Sequence, residues 1–181
     1  MRRDALLAEL ANQRGRALVG YAFLLTGELA EAEDLAQEAL VRTMLRVRGG
    51  AELKDARSAE AYVRRAIASL YVDGYRRRRR WLAAVPTLAD RDTPELARGE
   101  NADPALGADA MDLRAHLAEL PRQERACVVL RFYEDMTVPQ LAEALGIATG
   151  TAKRYLSQGL ARLGEVVRDA DDDVEITWRT R

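Results

Sequence analysis

Apolar residues in this chain recur every three or four positions in two stretches, and residues 83–112 between them lose that recurrence. A spacing of three and four marks a helix that buries one face. The interval between the stretches is broken by Pro86, Pro94 and Pro104. It carries Asp90, Asp92, Glu95, Glu100, Asp103 and Asp109. That composition suits a flexible linker. The pattern predicts an all-α chain of two small helical domains, residues 1–82 and 113–168, joined by a flexible acidic linker over 83–112. An acidic tail, 169–181, follows. Composition agrees, since 32 Ala and 25 Leu among 181 residues favour helices over strands.

The first domain reads as three helices. Leu7, Leu10, Leu18, Tyr21 and Leu25 share one face, and Thr26-Gly27 ends that helix. Leu35, Ala36, Ala39, Leu40, Thr43, Met44 and Val47 form the next apolar seam, stopped by Gly49-Gly50. A loop from Ala51 to about Ser58 leads to a third helix with Tyr62, Val63, Ala66, Ile67 and Leu70 inward. In the second domain, Leu113, Leu117 and Leu120 precede Pro121. A helix then turns Ala126, Val129, Leu130 and either Phe132 or Tyr133 to the core.

The sharpest local signal lies at 137–163. Thr137-Val138-Pro139-Gln140 is a capping-box pattern, in which Thr137 caps and Gln140 reaches back. A short helix ends at Gly146, and after a three-residue turn another runs from about Thr149 to Val167. Two helices joined this way match the helix–turn–helix that lays its second helix in the major groove. Ala142, Leu145, Ile147, Ala152 and Leu156 would hold the pair together. Thr149, Thr151, Lys153, Arg154, Ser157 and Gln158 would face DNA. Lysine and arginine pair with guanine or phosphate, and glutamine with adenine. A helical hairpin that binds nothing gives the same pattern.

Charge is distributed unevenly behind a net value of −1. Residues 62–81 carry seven arginines against Asp73. In Arg76–Arg80, flanked by Tyr71, Tyr75 and Trp81, guanidinium groups suited to phosphate stand beside rings on which unpaired bases stack. A solvated basic helix end, with Tyr71 or Tyr75 in the core, is the other reading. Asp34, Gln37, Glu38 and Arg42 line one side of the second helix, opposite its apolar seam, as a docking face would. Acidic residues at a helix start also serve the helix dipole alone.

Little supports an enzyme. His116 is the single histidine, and no phosphate-binding loop, nucleophile motif or metal-ligand spacing stands out, so no catalytic residue, metal or cofactor is expected. No apolar run approaches the roughly 18 residues of a membrane helix. Cys127, the single cysteine, excludes an internal disulfide and fits a reducing, cytoplasmic setting. It reads as a small core residue, with redox sensing as the alternative.

Glu33-Asp34-Leu35-Ala36-Gln37-Glu38-Ala39 resembles the region 2 helix of bacterial sigma factors. Tyr62–Arg80 resembles the helix that follows it. Leu117–Leu163 resembles region 4, through Leu120-Pro121-Arg122-Gln123-Glu124-Arg125, Leu130-Arg131-Phe132-Tyr133-Glu134-Asp135-Met136-Thr137 and Gly150-Thr151-Ala152-Lys153. Three segments in the right order, in a chain of this length, are similar to the extracytoplasmic-function (group four) sigma factors. Leu70-Tyr71-Val72-Asp73 before an arginine run looks like actinobacterial members. The resemblance implies promoter-specific transcription initiation with core RNA polymerase, through its β′ clamp helices and β subunit. Asp34, Gln37, Glu38 and Arg42 would dock on the clamp. The loop 49–60 with Arg65, Ser69, Tyr75, Arg76, Arg77, Arg78, Arg79 and Arg80 would read and open the −10 element. Thr149, Thr151, Lys153, Arg154, Ser157 and Gln158 would read the −35 element. The acidic linker would thread near the active centre, and an anti-sigma factor is a candidate partner. Ser69 stands where the family often has Asn, and Tyr155 and Gln158 where it often has Arg. Ala148 replaces a common Ser cap, which would move the cap to Thr149. An autonomous helix–turn–helix repressor or activator is the alternative, set apart by binding DNA without polymerase.

Overall fold

A computed structural model describes residues 2–49, 55–84 and 108–170. Seven helices account for them: α1 Arg2–Thr26, α2 Leu29–Arg48, α3 Ala56–Ala84, α4 Ala108–Glu119, α5 Arg122–Tyr133, α6 Val138–Leu145 and α7 Thr149–Ala170. The central linker (85–107), the loop residues 50–54 and the tail beyond 170 lie outside the described residues. Helix reaches further than expected at both ends of the linker, through Ala84 and from Ala108.

Local chemistry explains the boundaries. Gly27 ends α1 in the left-handed region, φ +72°, where a residue without Cβ is favoured. α3 starts before the expected loop ends, because Asp55 and Ser58 cap each other. The Ser58 amide donates to Asp55 Oδ1 at 2.7 Å and the Asp55 amide to Ser58 Oγ at 3.0 Å. These bonds hold the Asp55 carboxyl below the ordinary carboxylate range. The capping box at α6 forms as predicted. Gln140 N–H donates to Thr137 Oγ1 at 3.4 Å, and the Thr137 amide to Gln140 Oε1 at 2.7 Å. Thr149 does not take over as the cap of α7. Ala148 is the residue whose carbonyl accepts the first helical bond, from Ala152 N–H at 3.0 Å.

α1, α2 and α3 close around Leu18, Leu25, Ala36, Ala39, Val47, Val63 and Ile67, all buried. Burying the leucine, valine and isoleucine side chains contributes about 1.5–3 kcal/mol each. In the second unit α5 is central, with every residue from Glu124 to Leu130 buried. α6 and α7 pack through Ala142, Leu145 and Ala152, with Ile147 and Leu156 half-buried beside them. The expected inward turn of Phe132 or Tyr133 is wrong. Both are exposed, because burial along α5 stops at Leu130 and the helix surfaces over its final residues. Cys127 is buried as expected.

The two units pack against each other, and their buried side chains form one continuous cluster. Arginines make much of the junction. Arg125 of α5 is 2% exposed. It donates to the carbonyls of Leu25 (3.2 Å) and Thr26 at the end of α1, and of Ala118 (2.9 Å) and Leu120 (3.3 Å) at the end of α4. Burial pulls its pKa below the ordinary guanidinium value. Arg122 forms a two-pronged pair with Glu31 of α2, at 2.6 and 3.3 Å, and lies over the ring of Tyr71. Tyr21 donates to Glu134 at 2.7 Å, while Arg64 sits over the Tyr21 and Tyr133 rings.

Candidate nucleic-acid interface

α2 presents one exposed stripe. Asp34, Gln37, Glu38 and Arg42 all face outward, as the helical spacing requires. Glu38 and Arg42 pair across one turn at 2.6 Å. Val41 and Leu45 complete the stripe at 46% and 59% exposure, two aliphatic side chains turned away from the core. Sequence reasoning passed over both. The signal was there, since 41 and 45 continue the three-and-four spacing from 34, 37 and 38.

The basic block occupies the last turns of α3. Arg65, Ser69 and Arg77–Arg80 are exposed, and so is Trp81. Arg76 and Arg79 reach across the junction. Arg76 donates to the carbonyl of Glu143, and Arg79 to that of Gly146, at the C-terminal end of α6. Gly146 holds φ +65° and turns the chain into α7. Tyr75 is 7% exposed, so in this arrangement it offers no face to a base. Its phenol pKa is pushed up, first by burial and then by Tyr71 and Tyr155. Tyr71 is a core residue, also with its phenol pushed up by burial.

On α7, Thr149, Lys153, Arg154, Ser157 and Gln158 are exposed and Thr151 is half-buried. They form the outward side of the helix–turn–helix, opposite Ala152 and Gly159. Arg154 lies over the ring of its neighbour Tyr155, with the guanidinium carbon 5.3 Å from the ring centre. α7 approaches α5 closely at Gly159, where a Cβ would meet Val128 Cγ2 at 2.9 Å. Arg162 ties the same helices together, 3.0 Å from Glu124 Oε2.

Among the described residues no group of three or more His, Cys, Asp or Glu side chains could hold a metal ion. Among them, too, no helix is long and apolar enough to cross a membrane.

Comparison with known proteins fits this architecture. Residues 10–81 match the family model of Sigma-70 region 2, and residues 110–163 that of Sigma-70, region 4. These two units in this order define a promoter-recognition subunit of bacterial transcription. The chain is 37% identical over 173 residues to the RNA polymerase sigma-E factor of Streptomyces avermitilis, covering 94% of this chain and 90% of that protein. It is 31% identical over 159 residues to the ECF RNA polymerase sigma factor SigL of Mycobacterium tuberculosis, covering 88% and 87%. The chain belongs to the extracytoplasmic-function sigma factors of the sigma-70 family, as its residues led us to expect. A co-crystal structure of the sigma factor RpoE with the anti-sigma factor NepR from Bartonella quintana shares the fold. Its TM-score is 0.51 at 22% identity, over 92% of this chain and 96% of that one.

Proposed function

We propose that three surfaces divide the work of promoter recognition. The α2 stripe of Asp34, Gln37, Glu38, Val41, Arg42 and Leu45 docks on the β′ clamp helices of core RNA polymerase. The observation that carries this is the exposure of Val41 and Leu45 beside these polar residues, since exposed aliphatics bordered by polar groups suit a protein partner. Arg65, Ser69 and Arg76–Arg80 contact the −10 element, with Trp81 as a ring for unpaired bases. Tyr75 joins them only if the second unit moves away. Thr149, Thr151, Lys153, Arg154, Ser157 and Gln158 contact the −35 element. With Lys153 and Arg154 as the cations of that face, binding by this unit is weak, and tethering by polymerase supplies the effective concentration.

The protein works in the cytoplasm with core polymerase and promoter DNA, and carries no catalysis of its own. An anti-sigma factor is proposed as a further partner, supported by the fold shared with a sigma factor crystallised in such a complex. Run-off transcription with core polymerase from a GC-rich actinobacterium, on a genomic promoter library, tests the reading. New starts that need the protein and share −35 and −10 elements support it. Tight DNA binding without polymerase, and no polymerase binding, would favour an autonomous regulator.

A further inference from the structure

We propose that Tyr155 is a positioning residue for Arg154. Its ring holds the guanidinium ready for a guanine edge, so the pair sets the base preference at one base pair of the −35 element. The proposal rests on the assignment of the outward face of α7 to that element.

Two cations stand side by side on that face, and the structure treats them differently. The guanidinium carbon of Arg154 lies 5.3 Å from the centre of the Tyr155 ring. A cation is attracted to an aromatic face within about 6 Å of its centre. The ring is itself held in place. Tyr155 is half-buried and packs against the core. It shares a side of α7 with Ala152 one turn before and Gly159 one turn after, both buried. Lys153 is exposed on the neighbouring side. Its ammonium is a point charge on a flexible stem, which suits a phosphate rather than a particular base.

That difference decides which cation can discriminate. Guanine presents O6 and N7 together in the major groove, and the planar fork of arginine takes both at once. An unrestrained arginine gives up rotamer freedom to do so, whereas one already stacked has given up part of it beforehand. Both cations lie in the first two turns of α7, the part of a recognition helix that reaches base edges. The surface ahead of Arg154 is open. A Cβ built at Gly150, one turn earlier on the same side, would meet no atom within 4 Å.

The test uses the full chain bound to core polymerase, on a promoter found by the run-off selection. Templates are substituted one base pair at a time across the −35 element. The readout is the ratio of transcript from the parental and the substituted templates. Arg154→Ala should flatten the preference for a G·C pair at one position alone. Tyr155→Leu and Tyr155→Met should lower the same preference by about threefold or more, the scale of ordering one long side chain, and spare the other positions. Tyr155→Phe should keep it, because the ring and not the hydroxyl is the platform. Lys153→Ala should lower transcript from every template by a similar factor. Circular dichroism confirms that each variant folds.

A folded Tyr155→Leu or Tyr155→Met chain that keeps the full preference at that position overturns the proposal. So does a loss spread evenly over all positions, which a merely structural role would give. A loss in Tyr155→Phe equal to that in Tyr155→Leu overturns it too. If Arg154→Ala flattens no position while Lys153→Ala and Gln158→Ala still alter use of the −35 element, the proposal alone fails. If none of the three alters it, the assignment of the α7 face fails and the proposal with it.

Discussion

Arg125 occupies the space into which a side chain on residue 27 would project. A Cβ built on Gly27 falls against the Arg125 guanidinium, and Gly27 also holds φ +72°. Gly27→Ala therefore meets two penalties, a left-handed backbone and a displaced buried cation. The expected loss of stability is about 2 kcal/mol or more. Urea unfolding checks it, as a lower midpoint with an unchanged slope.

Removing the cation itself is costlier. Arg125→Met would leave the buried carbonyls at the ends of α1 and α4 without donors. Each unsatisfied group costs roughly 1–3 kcal/mol, so a loss of about 3 kcal/mol or more is expected. Arg125→Lys should rescue little, because one ammonium cannot span acceptors that a planar fork reaches on both sides. Denaturant midpoints of the two variants provide the comparison.

Alkali should unfold the protein steeply. Burial raises the phenol pKa values of Tyr21, Tyr71 and Tyr75, and Glu134 adds to the effect at Tyr21. A phenol whose folded pKa lies above its unfolded value of about 10 favours folding below that value and loses this contribution as pH rises beyond it. Each group would remove up to about 1.4 kcal/mol per pH unit in that window. Of the six tyrosines, these three should titrate only with unfolding, which absorbance of the phenolate against pH would reveal. Ionisation of Tyr21, Tyr71 and Tyr75 at about pH 10 in the folded protein would contradict the burial.

Cys127 should be inert in the folded protein. Burial pushes its thiol up to about 12, with Glu124 adding in the same direction. A thiolate is the reactive form. At neutral pH an aromatic disulfide reagent should label Cys127 no faster than the protein unfolds, and at once in denaturant. Rapid labelling of the native protein would revive a redox role.

Leu45→Asp should weaken binding to core polymerase by about tenfold or more, the scale of an interface anchor. Leu45 is 59% exposed and outside the core, so thermal stability should change little. A titration of labelled protein with core polymerase measures it. Equal affinity would remove the α2 stripe from the docking surface.

Short-range chemistry was legible in the sequence. The capping box at Thr137 and Gln140, the stop at Gly27 and the apolar seams of α1 to α3 depend on neighbours within a few residues, so spacing alone finds them. Arg125 was not legible. In a polar-looking helix start it reads as solvated, and its acceptors Leu25 and Thr26 are about a hundred residues away. Phe132 and Tyr133 misled for the opposite reason. Their apolar rings argue for burial, but burial along α5 ends at Leu130, just before them. Tyr75 was open between core and surface, and the placement of the second unit over α3 buries it.

The acceptors for Arg125 on α1 and α4 are main-chain oxygens. Side chains of Leu25, Thr26, Ala118 and Leu120 can drift without altering them, provided the helices keep their ends. The contact is thus encoded on one side only. Correlated substitution between positions 125 and 25 or 26 across descendants of this chain would not betray it. The traces to look for are an arginine that never varies at 125, held by backbone carbonyls, and a glycine that never varies at 27, held by its own φ and by the guanidinium beside it.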